Sequence, residues 1–429
     1  MPIAVPTRRS TTAWALYDFA NSAFTTLVVT FIYATYFTKG IAPDETTGAD
    51  MWFTGITISA LIVAVLAPFV GAMADKGGHR KRFLLGATIV CIAGTVALYF
   101  PGPGDVWMAI GIFVVANVAF EMANVFYNAY LPDITLLDRI GRTSGFGWAL
   151  GYVGGLLCMV VGLVVFINPD PPLFGLDAAT GENVRATNLL VAAWFALFSL
   201  PMFLIVGDKK VENPPSMGTL VRAAWQDLKR VFNDVRKYRQ VFRLLVARLI
   251  YNDGLITIFG AGGVYAAVVF DFSFQDIMIF GIALNLAAGV GAFALGFLDD
   301  VLGGKRTILV SLVGLIAAAL LAVLSQSVVL FWVAGIGVGL LAGPNQSASR
   351  SLLGRFTPPD HENEFFGFFA FSGKFTAFLG PFLLAKLTVI FGSMRFGVAV
   401  VVVLFLVGGL LLLRVNEAEG IASAARPTA

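Results

Sequence analysis

The residues best suited to chemistry in this 429-residue chain are the few polar and ionisable ones set inside long apolar runs. Asn117, Glu121, Asn124 and Asn128 stand at i, i+4, i+7 and i+11, one stripe down a single helical face. Asp18, Asn21 and Thr25 share a face in the first run, and Arg248, Asn252 and Asp253 cluster in a later one. Counted from Glu364, Lys374 lies roughly 15 Å into its helix, near the middle of a bilayer about 30 Å thick. An ionisable group at that depth costs at least about 2.5–3.5 kcal/mol, so each needs a partner or a water-filled cavity. The chemistry such groups support is reversible binding. Asp18, Glu121 and Asp253 are carboxyls that could carry a proton, and Lys374 could receive an anionic group of a solute. Bland roles compete: the asparagines as hydrogen-bond glue between helices, Asp18 as a gate residue, Arg248 and Asp253 neutralising each other, and Lys374 paired with Glu121 or Asp253.

The elements that must position these groups follow from composition. The chain is 58% hydrophobic and 13% charged, with a mean hydropathy of +0.84, whereas soluble domains carry about 25% charged residues. Apolar runs long enough to cross a bilayer as helix recur roughly at 14–37, 52–74, 82–100, 106–130, 144–167, 187–207, 241–270, 275–298, 306–325, 328–352, 364–391 and 395–414. The expected fold class is therefore all-α and polytopic, with about twelve transmembrane helices. About two dozen Lys and Arg fall on the side of the N-terminus, including Arg8, Arg9, Lys76, Arg80, Lys81, Arg82, Arg139 and Arg142. About three, Lys39, Arg185 and Arg395, fall opposite, so both termini are expected in the cytoplasm. No cleavable leader is read, and Arg8–Arg9 act as a cytoplasmic anchor. The net charge of +3 gives no reason to expect nucleic acid as a partner.

Three parts are expected: a six-helix half over 1–207, a cytoplasmic linker over 208–240 and a second half over 241–429. In the linker Leu220, Ala224, Leu228, Val231, Val235, Tyr238 and Phe242 recur at helical spacing between charges, as in a helix lying on a membrane face. The halves repeat a motif. Gly71, Asp75, Gly78 and Arg80 follow the second run, and Gly296, Asp300, Gly303 and Lys305 follow the eighth at the same spacing. The glycine admits another helix closely, the acid can cap or pair near a neighbouring helix end, and the basic loop stays in the cytoplasm. Gly147, Gly151 and Gly155, and Gly335, Gly339 and Gly343, are four apart and permit further close helix contacts.

The run Gly71-Ala72-Met73-Ala74-Asp75-Lys76-Gly77-Gly78-His79-Arg80-Lys81 resembles the loop signature of the major facilitator superfamily; the second copy departs from it at Asp299 and Val301. A finer likeness lies in Trp14-Ala15-Leu16-Tyr17-Asp18-Phe19-Ala20-Asn21-Ser22, Leu131-Pro132-Asp133-Ile134, Ser144-Gly145-Phe146-Gly147-Trp148, Gln346-Ser347-Ala348-Ser349-Arg350-Ser351 and Phe371-Ser372-Gly373-Lys374. Together these resemble the vacuole-effluxer-like branch, bacterial relatives of a fungal vacuolar amino-acid exporter. The resemblance implies two six-helix pseudo-repeat halves with substrate held near the midplane, alternating access, and no enzymatic activity.

Other classes fit less well. The nearest approach to a phosphate-binding loop, Gly303-Gly304-Lys305, has Asp299 where its first glycine belongs and Arg306 in place of Ser or Thr. His79 and His361 are the only histidines, and Cys91 and Cys158 lie far apart in apolar runs, so neither a metal nor a cofactor is expected. The reading is a secondary transporter of an amino acid or similar zwitterion, proton-coupled and monomeric, in the plasma (inner) membrane. Efflux of amphiphilic drugs, transport of a sugar or other metabolite, and a non-transporting receptor or scaffold are the alternatives.

Overall fold

The computed structural model describes residues 7–208, 217–233 and 238–425. Eleven of its helices are long and apolar enough to cross a membrane. The third in chain order, Arg80–Ala97, is an 18-residue helix that opens on three basic residues and completes a set of twelve. The spans are Arg8–Ile41, Glu45–Gly77, Arg80–Ala97, Val106–Ala129, Ile140–Gly162, Thr187–Ile205, Arg239–Phe270, Phe274–Leu302, Gly304–Leu324, Val328–Phe356, Glu362–Phe391 and Met394–Leu413, numbered 1 to 12 below. Backbone groups have no water to bond in hydrocarbon, so helices satisfy them internally, and the protein is all-α and multi-pass.

Several spans run further than the apolar pattern suggests. Span 2 continues through Gly71 and Asp75 to Gly77, so the motif glycine lies within the helix rather than at its end. Gly78 then stops it with φ of 59°, a left-handed conformation that glycine adopts without Cβ strain. Span 1 widens into π-type turns over Phe24–Phe31, just beyond Asp18 and Asn21. Span 11, expected as one helix, is two: Glu362–Lys374 and Leu379–Phe391, separated by turns. Pro381 has no N–H to donate, which removes a rung of the ladder beside the break. Lys374 is thus the last residue of a half-helix, at an interruption that hydropathy does not register.

The linker helix Met217–Asn233 buries Leu220 and Ala224 and exposes Val221, Arg222 and Trp225. Lys209, Lys210, Val235, Arg236 and Lys237 lie outside the described residues, as do the side chains of Leu228, Lys229, Arg230 and Val231. After span 12 comes a short helix, Glu417–Ala424, that the apolar pattern does not announce.

The chain divides into two compact units. One comprises Met1–Val63, Gly78–Tyr127 and Leu150–Lys210; the other comprises Ala64–Gly77, Asn128–Ala149 and Val211–Ala429. In the first, spans 1 and 6 pack together, and span 5 meets span 1 where a side chain at Gly151 would press on Ser22 and one at Gly155 on Thr26. In the second, spans 7 and 12, 8 and 10, and 9 and 10 are the main pairs. Gly339 and Gly343 lie against the backbone of Leu284 and Ala288, so the glycine stripe of span 10 seats span 8.

Candidate transport site and loop-end latches

In the first unit, spans 1 and 4 bring the expected groups together. Asn21 Nδ2 donates to Asn124 Oδ1 at 3.0 Å, and the Tyr127 hydroxyl donates to Asp18 Oδ2 at 3.1 Å. Asn21 is buried, while Asp18, Glu121 and Asn124 are half-buried and Asn117 is buried two turns further along span 4. Aromatic packing fixes this arrangement. Tyr127 stacks on Trp14 with centroids 4.6 Å apart and on Tyr17 at 5.0 Å, and Trp14 Nε1 donates to the Tyr127 carbonyl at 2.9 Å. Tyr17 closes the stack through a 2.7 Å hydrogen bond with Thr88 of span 3. Sequence reasoning did not single out Tyr127; its signal was its place three residues after Asn124, next to the same polar stripe.

In the second unit, the polar residues of span 7 grip the break in span 11. Arg248 Nη1 donates to the Phe369 carbonyl at 2.7 Å and to Ser372 Oγ at 2.8 Å, and the guanidinium lies 3.5 Å from the Phe369 ring centroid. Asn252 donates to the Gly373 carbonyl at 3.2 Å and accepts from Gln346 at 2.9 Å. Asp253 Oδ2 accepts from the Gly380 N–H at 2.9 Å, and its Oδ1 is buried without a hydrogen-bond partner. No cation among the described residues lies within ion-pair distance of Asp253. Of the pairings open from sequence, Arg248 with Asp253 and Lys374 with Asp253 are therefore not made: Arg248 points to the half-helix that ends at Lys374, and Asp253 holds the N-terminus of the next one.

Both motif acids cap a helix, and they do so by the same geometry. Asp75 accepts from the backbone N–H groups of Asn363 (3.1 Å) and Glu364 (2.8 Å), and from Asn363 Nδ2 (2.7 Å), at the start of span 11. Asp300 accepts from the backbone N–H groups of Gly141 (2.8 Å) and Arg142 (3.3 Å), and from Arg142 Nε (2.5 Å), at the start of span 5. A helix N-terminus offers unpaired N–H groups and the positive end of the macrodipole, which suits a carboxylate. One turn further in, a Cβ at Gly367 would fall on the carbonyl oxygen of Ala67, and one at Gly145 on that of Ala292. The motif glycines face the same helix ends: a Cβ at Gly71 would fall on the carbonyl oxygen of Asn363, and one at Gly296 would press on that of Gly141, so the glycine and acid of each motif copy seat a helix end. Asp299, the departure in the second copy, receives Arg355 Nη1 at 2.6 Å and the Ser351 hydroxyl.

Three further residues complete this region. Arg350, 3% exposed, donates to Ser144 Oγ (2.9 Å), the Ser144 carbonyl (2.7 Å) and Asn128 Oδ1 (3.0 Å), tying span 10 to the first turns of span 5 and the end of span 4. Asp208 and Glu417, just past spans 6 and 12, cap spans 3 and 9: Lys81 N donates to Asp208 at 2.8 Å, and Gly304 N and Lys305 N to Glu417 at 2.9 and 3.1 Å. The motif cations reach the other way, Arg80 to within 3.7 Å of Asp208 and Lys305 Nζ to the carbonyls of Leu413 and Val415. His361, just before span 11, pairs with Glu364 at 3.0 Å, and that hydrogen bond raises its pKa above the ordinary value against the opposing effect of burial.

A family profile described as vacuole effluxer Atg22 like matches residues 40–425. The chain belongs to the Atg22-like vacuole effluxer family. It is 28% identical over 411 residues to the MFS-type transporter YxiO of Bacillus subtilis (strain 168), covering 94% of each chain. It is 26% identical over 298 residues to autophagy-related protein 22 of Cryptococcus neoformans var. neoformans serotype D, covering 65% of this chain and 51% of that one. The fold superposes on the major facilitator superfamily proton:xylose symporter XylE bound to 6-bromo-6-deoxy-D-glucose, with a TM-score of 0.74 at 13% identity over 96% of both chains. This Atg22-like chain is accordingly a secondary transporter of the major facilitator type, not an enzyme.

Proposed function

We propose that this transporter carries an amino acid or similar zwitterion by alternating access, coupled to protons, as a monomer in the plasma (inner) membrane with both termini cytoplasmic. The observation that carries the proposal is Asp253, a carboxyl 1% exposed with one hydrogen bond and, among the described residues, no cation beside it. A carboxylate so placed calls for a positive partner, and a proton or the ammonium of a substrate supplies one. Asp18, Asn21, Asn117, Glu121 and Asn124 provide the polar wall of the first unit, and Lys374 is the cation for a substrate carboxylate. The caps at Asp75 and Asp300 are the cytoplasmic latches, made and released once per cycle. Amides such as Asn21 and Asn124 equally suit hydroxyl groups, which makes a sugar or other metabolite the second reading.

The test is uptake into proteoliposomes of labelled neutral amino acids, with and without an imposed pH gradient, for wild type, Glu121→Gln and Asp253→Asn. Gradient-driven accumulation that either variant abolishes, with downhill exchange retained, is the expected result. Absence of flux for every amino acid, in protein shown to be folded, moves the cargo to the second reading.

A further inference from the structure

Where spans 8 and 12 end, the second unit contains a cleft of about 620 Å³, within the roughly 300–1,000 Å³ typical of small-molecule sites. Its walls are Leu302, Lys305, Arg306, Arg414, Glu417 and Ile421, among others. Arg306 and Arg414 are exposed, and neither has a carboxylate within ion-pair distance among the described residues. Glu417 also lines the cleft, but its carboxylate is taken up by the N–H groups of Gly304 and Lys305, with Arg355 at 3.8 Å. Glu419, on the same short helix, is paired with Arg239 at 2.8 Å. A further cation lies close behind the rim, because Arg243 Nη1 donates to the Arg414 carbonyl at 3.0 Å. Among the described residues the cleft is therefore a concave site with two unpaired guanidiniums and no acid left uncompensated.

Its depth relative to the membrane selects the ligand. Leu302 and Leu413 are the last apolar residues of two spans, and the strongly exposed Val301 and Leu413 mark the hydrocarbon-facing side just below it. Arg306 and Arg414 follow within four residues, which puts them at headgroup level. Ile421, from the short terminal helix, gives the cleft an apolar edge continuous with Leu302. We propose that this cleft binds the phosphate of an anionic phospholipid headgroup, with Arg306 and Arg414 as donors and the acyl chains continuing over Val301 and Leu413. Guanidinium suits phosphate because its planar fork donates in pairs, and basic pockets at span ends are where such headgroups bind. Glu417 belongs to the cap on span 9, so an occupied cleft would brace the second motif loop without touching the transport site.

The experiment uses the full-length, delipidated protein in detergent and counts bound lipid by native mass spectrometry during titration with dioleoyl phosphatidylglycerol or dioleoyl phosphatidylcholine. Wild type should retain phosphatidylglycerol in preference to phosphatidylcholine. Each cation near an anionic lipid changes affinity about fivefold, so Arg306→Gln with Arg414→Gln should weaken phosphatidylglycerol binding roughly 25-fold. The double lysine variant, Arg306→Lys with Arg414→Lys, should recover most of it, and Arg139→Gln, on a different loop, should change nothing. Equal binding of the two lipids, or unaltered phosphatidylglycerol affinity in the double glutamine variant, overturns the proposal. A third arm adds millimolar inorganic phosphate: full displacement of phosphatidylglycerol would make a free anion the ligand and would remove the lipid from the assignment.

Discussion

Replacing Asp75 by Asn alters one atom type and one charge at the start of span 11, and its cost follows from the three bonds described. The carboxylate accepts from Asn363 N, Asn363 Nδ2 and Glu364 N at 2.7–3.1 Å. Hydrogen bonds to a charged acceptor are each worth about 1.5–3 kcal/mol, against about 0.5–1.5 kcal/mol for a neutral one. An amide oxygen can retain two of the three donors at the weaker value, while its NH2 group faces a donor it cannot satisfy. Loss of the charge at the helix N-terminus adds about 0.3–1 kcal/mol. Repulsion from the nearby Glu362 carboxylate, which wild type tolerates and the variant does not feel, offsets part of this. With the charged bonds at the low end of their range and the neutral ones at the high end, three at about 1.5 kcal/mol become two at about 1.5 kcal/mol. With the charge–dipole loss the net is about 2 kcal/mol against the cap, or at least roughly a 30-fold rise in the population in which it is open. Hydrogen–deuterium exchange reads this directly, because the amides of Asn363 and Glu364 are protected only by Asp75. Exchange in a peptide spanning 361–367 should accelerate roughly 30-fold in Asp75→Asn while a peptide at the start of span 5, capped by Asp300, keeps its wild-type rate. Unchanged exchange at 361–367 in folded protein would refute the capping argument.

His361 links the same contact to pH. Its pKa is raised by the hydrogen bond to Glu364, so the stabilisation is fully present below the unfolded value of about 6.5 and is lost as pH rises through the folded value. Wild type should lose thermal stability relative to His361→Gln as pH climbs from about 6 through the raised folded value, a difference that melting curves at matched ionic strength will register; parallel curves would exclude the linkage. Gly145→Ala places a methyl on the Ala292 carbonyl and should cost about 1–3 kcal/mol in span 5–span 8 packing. The expected readout is slowed transport with the protein still correctly inserted, and wild-type uptake would show that the close approach is not needed.

The sequence alone determined that this is a multi-pass helical protein built on a repeat, because hydropathy and residue spacing are local properties. A run of twenty apolar residues must be helical in a bilayer whatever surrounds it. The paired motifs at Gly71–Arg80 and Gly296–Lys305 were likewise visible as strings, and so was the polar stripe from Asn117 to Asn128. Which faces meet was not visible, since that depends on contacts between residues far apart in the chain. Asp18 finds Tyr127 across 109 positions, and Asp75 finds Glu364 across 289. No periodicity encodes those distances. The break after Lys374 escaped notice for a related reason: its residues are as apolar as a continuous helix requires, and only the Asp253 carboxylate on span 7 identifies the freed Gly380 N–H as a capped terminus. Charge counting put cations at the ends of spans 8 and 12, but it took the fold to bring Arg306 and Arg414 to one cleft and to engage Glu417 elsewhere. Sequence thus decided what each segment is, through free energies that a segment settles with its solvent. Tertiary structure decided what each polar group does, because a buried charge is governed by the partner that packing places beside it.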